Sequence, residues 1–224
     1  MGRPLLAAAS VAMLAAGLIT APPAPAAFEY QPLWPFASQD EADRWAREDG
    51  ESWHADAGTT ALRFTREYLR FGEITRVTDT QTQGAQAWIG VGYSLGEDEP
   101  STVATIHLVR FGDGRAAPWE VVGTRDEVLT LGTPSYGAAV GPSFDAGGTI
   151  SGVDESLRLQ VRQSFQDGEV GGYCCLPAGG QDTPWSAEVT VDGAEPGVAT
   201  LVVSTGGHVA EVERFAVTGL RFGG

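Results

Sequence analysis

The chain contains no lysine. All 14 of its basic residues are arginine, set against 29 Asp and Glu, and the formal net charge is −15. That shortage of positive charge argues against a nucleic-acid partner, because such binding rests on neutralising phosphates. It argues equally against docking on an anionic membrane surface. Histidine is scarce too: only His54, His107 and His208 occur, and no two have the three-to-five spacing of a zinc site. Cysteine is limited to the adjacent pair Cys174-Cys175, so two distant Cys flanking a Trp, as in antibody domains, are absent. No internal repeat is present, and no low-complexity tract outside the N-terminus. What remains is a globular composition, 42% hydrophobic and 19% charged, too apolar for a disordered chain. The 224 residues suffice for one large domain or two small ones.

Residues 1–26 read as a secretory signal peptide. Arg3 is the only charge before Glu29, an apolar run extends from Leu5 to Ile19, and Ala24-Pro25-Ala26 forms a small-residue cleavage site. The run is short for a bilayer span, which needs about 20 residues, so no stable membrane span is expected after cleavage. No Cys follows the run, which removes the usual lipoprotein attachment point. Cleavage would take Arg3 away and bring the formal charge to −16. The expected location is secreted or cell-envelope, an oxidising setting for the two cysteines.

Beyond the leader, the pattern divides the chain into residues 28–132 and 133–224. The first part opens with helical signals. Ser38-Gln39-Asp40-Glu41 is a capping box, and the helix it starts should end near Gly50 with Trp45 on its buried face. Asp56 can cap a second helix, in which Ala57, Ala61, Phe64, Tyr68 and Phe71 share one face and Gly72 marks the end. Arg63 and Glu67 form an i, i+4 pair on its wet side. Strands are expected at Ile74 to Thr78, Ala87 to Tyr93, Thr102 to Phe111, Trp119 to Thr124 and Val128 to Leu131. Two helices and an antiparallel sheet make an α+β domain. Thr133 to Gly137 breaks the pattern. After it, Leu157 to Arg162 alternates strictly, with one face buried and one wet, and Ala187 to Val191, Ala199 to Ser204 and Val212 to Phe222 read as further strands. Short strands at this spacing predict an all-β immunoglobulin-like sandwich.

The residue clusters offer modest chemistry. Trp34 and Trp53, in coil, are the tryptophans best placed to stack on a ligand. His54 precedes Asp56 at the start of a helix, and His208 follows two glycines in a turn; both are candidate binding residues. His107 lies within a strand and reads as a core or interface residue. Gly92-Tyr93-Ser94-Leu95-Gly96 matches the G-x-S-x-G spacing of serine hydrolases, but an acidic loop, Glu97-Asp98-Glu99-Pro100, follows instead of a helix. That loop lacks the spacing of a calcium site. For Cys174 and Cys175 three outcomes are open: a bond to each other, a bond to another chain, or two separate thiols. The oxidising setting favours the first, in a bend held by Gly171-Gly172 and Pro177.

Val140-Gly141-Pro142, Gly147-Gly148-Thr149-Ile150-Ser151-Gly152, the alternating strand Leu157 to Gln163, Pro184-Trp185-Ser186-Ala187 and the closing strand Glu211 to Leu220 resemble the bacterial spore-germination immunoglobulin-like domain. Through Trp34-Pro35-Phe36, Trp53 to Asp56, Pro118 to Thr124 and Ser204 to His208, the whole chain is similar to a group of uncharacterised secreted proteins of high-GC Gram-positive bacteria. The resemblance implies a non-enzymatic, extracytoplasmic accessory or adhesion-type module. From the residues themselves the expectation is a monomer without cofactor or metal, and the expected partner is a protein or a cell-wall component. Two other readings are a small-ligand carrier with a pocket between helix and sheet, lined by Phe64 and Tyr68, and a small serine hydrolase acting through Ser94.

Overall fold

The computed structural model describes residues 29–48, 52–96, 99–112, 117–152 and 154–223. The expected signal segment, Gly50 and the acidic residues Glu97 and Asp98 lie outside the described residues.

Helix α1 spans Gln39–Arg47. Ser38 Oγ accepts the Glu41 N–H at 3.3 Å, and Glu41 reaches back to the Ala37 N–H at 2.9 Å, one residue before the cap itself. The helix buries Ala42 against Phe36 and Phe111, with Trp45 packed on the same cluster. Helix α2 spans Ala57–Arg63 and is capped by Asp56, whose Oδ1 accepts the Thr59 N–H at 2.7 Å. It continues as a single π-turn, Phe64–Tyr68, in which the Leu69 N–H reaches the Phe64 carbonyl at 2.9 Å. The buried Thr65 hydroxyl donates to the Ala61 carbonyl at 2.8 Å, the kind of side-chain back-bond that loosens a helical ladder. Ala61, Phe64, Tyr68 and Phe71 are buried along one face, as their spacing predicts. Helical backbone stops before Gly72: Arg70 takes φ 67°, a left-handed conformation that more often falls to glycine.

Four strands follow: β1 Arg76–Gln83, β2 Gln86–Leu95, β3 Glu99–Arg110 and β4 Trp119–Thr124, an antiparallel sheet in chain order. Val128 to Leu131 is not a strand; Leu129 makes one bridge to Ile150.

The second half adds β5 Ala138–Val140, β6 Ser143–Ile150, β7 Asp154–Arg162, β8 Gly171–Gly179, β9 Thr183–Val191, β10 Gly197–Thr205 and β11 Arg214–Phe222. They join in one seven-stranded sheet of order β5-β11-β10-β7-β8-β9-β6, antiparallel except where β5 meets β11. The sheet is nearly closed. Leu129 and Thr133 bridge β6, and the same stretch of chain goes on as β5 beside β11, so one segment touches both edges. Gly148 permits this approach, since a Cβ there would lie 2.0 Å from the Thr130 carbonyl oxygen. The strands hydrogen-bond into one curled sheet, in which β8 and β9 are joined only through Gly171 and Gly172. β5, β6 and β8 were not expected: β5 is only three residues long, and the glycines of β6 and the Gly and Pro of β8 give those strands the composition of turns.

Two cores result. The inner face of the roll buries Leu157, Leu159, Val161, Leu201, Val203 and Leu220. The other core joins the two halves: Val202, Val212, Phe215 and Val217 pack with Phe64, Leu69, Ile89 and Ile106. The strict alternation of β7 is explained by these two faces, but its polar face is not fully wet. Gln160 and Arg162 are each only 5% exposed, beneath the segment that ends α2.

Candidate functional site

The structure brings three of the expected site residues together. Trp34 and Trp53 stack at 5.3 Å, His54 lies on Trp53 at 3.5 Å, and Trp34 also packs against Phe64 and Tyr68. Arg63 covers Trp53 at 4.5 Å. His54 is buried, 9% exposed, and ringed by Phe36 and Trp45, so this cluster is an aromatic wall of the core more than an open platform. Beside it Glu120 is wholly buried. Its Oε2 accepts the Phe36 N–H at 3.2 Å, while Oε1 has no partner among the described residues. Burial pushes its pKa well above the usual glutamate range, against the opposing pull of the Phe36 and Trp34 N–H groups.

His208 is elsewhere, on the loop between β10 and β11. Its backbone N–H, with those of Val209 and Ala210, donates to Glu213. Burial alone would raise the Glu213 pKa, but these donors outweigh it and the net shift is downward. His107, at a half-buried strand position, stacks on Trp88 at 5.1 Å and pairs with Gln86 at 2.9 Å; burial lowers its pKa, with help from Arg125.

Ser94 lies near the end of β2, and its hydroxyl accepts from Arg76. The chain returns as the antiparallel strand β3, pairing Ser94 with Pro100, and no helix follows to form a nucleophile elbow.

Cys174 and Cys175 are joined in a disulfide, and they sit on β8 rather than in a bend. On a regular strand their side chains would point to opposite faces. Here the register passes from Leu157 opposite Leu176 to Arg158 opposite Cys174, so Cys175 is the extra residue of a bulge.

The disulfide borders a cleft of about 370 Å³. Leu69, Arg70 and Phe71 cover it. Arg158, Gln160 and Arg162 of β7 form its floor, with Ser204 of β10 beside them and Glu211 on its lining. Backbone register dictates this floor, since Ser204, Arg158 and Cys174 lie on one line across three strands. Arg158 Nη2 donates to Glu169 Oε1 at 2.8 Å. Arg162 Nη2 lies 3.5 Å from the same oxygen, and its Nε lies 3.5 Å from Gln160 Oε1. Burial lowers the Arg162 pKa, Arg70 and Arg158 lower it further, and Glu169 and Tyr68 oppose them. A guanidinium stays charged throughout. The overlying segment is tied down where Tyr68 Oη donates to Thr200 Oγ1 at 3.2 Å.

Arg70, Arg158, Gln160, Arg162 and Glu169 were not foreseen as site residues. The signal was present in part: two arginines four apart on the polar face of an alternating strand, in a chain poor in positive charge.

Among the described residues no group of three His, Cys, Asp or Glu is placed to hold a metal ion, and no helix is long and apolar enough to cross a membrane. Comparison with protein-family models, with curated proteins and with solved structures finds no match.

Proposed function

We propose that this chain is a non-catalytic, extracytoplasmic binding module that holds a small ligand in the cleft between its helical segment and its rolled sheet. One observation carries the reading. The cleft is floored by polar side chains, Gln160 and Arg162, that are buried yet border an open volume of about 370 Å³. Sites for small molecules combine concavity with a few convergent polar groups in this way. The carrier reading moves accordingly: Phe64 and Tyr68, its expected pocket lining, pack into the shared core. The leader pattern of residues 1–26 and the paired cysteines support export to the envelope. Seven mostly antiparallel strands support an immunoglobulin-like relationship for the roll, in line with the spore-germination resemblance.

Thermal-shift screening of the purified protein against small metabolites and soluble cell-wall fragments tests the proposal. At least one ligand should raise the wild-type Tm by several degrees, and the same ligand should have no effect on Ser204→Trp, in which the cleft is filled. If nothing shifts the wild type, or if the shift survives in Ser204→Trp, the reading fails.

A further inference from the structure

The chain spends its positive charge sparingly, yet three of its 14 arginines, Arg70, Arg158 and Arg162, border one cleft. Arg162 is the informative one. Its side chain is 6% exposed and its two contacts are both 3.5 Å long, although a guanidinium carries five N–H donors. A buried cation with so few and such long bonds is costly unless something else completes its shell. The partner it shares with Arg158 shows which chemistry fits: a single carboxylate oxygen, Glu169 Oε1, bridges the two guanidiniums. Glu169 comes from the connection between β7 and β8, and its side chain is 30% exposed, so it reaches the pair from the rim.

We infer that the cleft is a carboxylate-binding site, in which Arg158 and Arg162 receive a carboxylate of a small organic acid in place of Glu169. Glu169 is then an internal stand-in for the ligand. It neutralises the two arginines in the empty protein and must be displaced, so its tethered carboxylate competes at a high effective concentration. The geometry suits a planar anion, because arginine forks match carboxylates in two-point contact. Arg70 covers the cleft and offers its charge to a second acidic group, while the Cys174–Cys175 disulfide gives the organic part a compact apolar wall. Glu211, also on the lining, sets a limit: it repels ligands whose charge extends toward it.

This inference rests on the cleft being the binding site. Isothermal titration of succinate, acetate and inorganic phosphate into the whole protein tests it. Glu169→Gln should bind succinate about tenfold more tightly than wild type, because the competitor keeps its shape and loses its charge. Arg158→Gln and Arg162→Gln should each weaken binding by about tenfold or more. Arg158 is 55% exposed, so its variant keeps the test valid even if the buried Arg162→Gln fails to fold by circular dichroism. Unchanged or weaker succinate binding in Glu169→Gln overturns the inference. So does wild-type affinity in Arg158→Gln, or phosphate binding more tightly than succinate. If Ser204→Trp still binds succinate, the site is not the cleft and both readings fall. If a neutral ligand binds in the cleft and succinate does not, the cleft stands and the carboxylate falls.

Discussion

Glu120 stands on β4 with no access to water, and its fate is set by solvation. Charging a carboxyl there requires desolvating the charge, and two backbone N–H groups offset only part of that. The folded protein therefore holds its proton to higher pH than the unfolded chain does. Below the ordinary glutamate range both states are neutral and the contribution to stability is full. As pH rises through that range toward the elevated folded pKa, the unfolded chain ionises alone and stability falls. Urea midpoints measured between about pH 4 and pH 8 should show this decline in wild type. They should show a flatter profile in Glu120→Gln, which has no proton to lose, and equal slopes would refute the assignment. Nothing in the sequence marks Glu120, since Trp119 to Thr124 reads as an ordinary strand; its burial depends on Trp34 and Phe36 crossing the edge of β4. Gln160 and Arg162, each 5% exposed, were misjudged for the same physical reason. Alternation separates two faces of a strand, but what later covers each face is a long-range fact.

Elements with local causes were legible. Ser38 and Asp56 cap their helices through short-range hydrogen bonds that the sequence itself contains. Replacing Asp56 with Ala should cost about 1 kcal/mol in urea unfolding, because the Thr59 N–H loses its acceptor at the start of α2. A cost near zero would mean that water serves the helix end equally well. β4 emerged with the expected ends. β6 and β8 did not emerge at all, because their Gly and Pro residues suit turns as local signals. In the fold those glycines serve close approach instead: a Cβ on Gly172 would lie 2.3 Å from the Leu159 carbonyl oxygen. The end of α2 shows the opposite case, where Gly72 was the natural terminator and Arg70 supplies the left-handed residue. An arginine in that conformation is uncommon, and here it covers the cleft.

At the scale of the molecule, the halves divided by the sequence at residue 133 share a core. Phe215 and Val217 of β11 pack with Phe64 and Ile89 of the first half. Unfolding should therefore be a single transition. Five of the six tryptophans lie before residue 133 and only Trp185 after it, so fluorescence reports mainly on the first half. Far-UV circular dichroism weighs the strands of both. Coincident urea midpoints from the two signals are expected, and separated midpoints would show that the halves melt independently. The segment that touches both edges of the roll has a consequence in time. Its β5 portion has its parallel partner in β11, the last strand of the roll to leave the ribosome. Until β11 is made, β5 lacks its strand partner, β10 has only β7 beside it, and the first half lacks Phe215 and Val217. A growing chain thus stays open until β11 is made, and final folding of the roll waits for pairings far apart in sequence, which are slow to form. Such a chain remains threadable until β11 has been made.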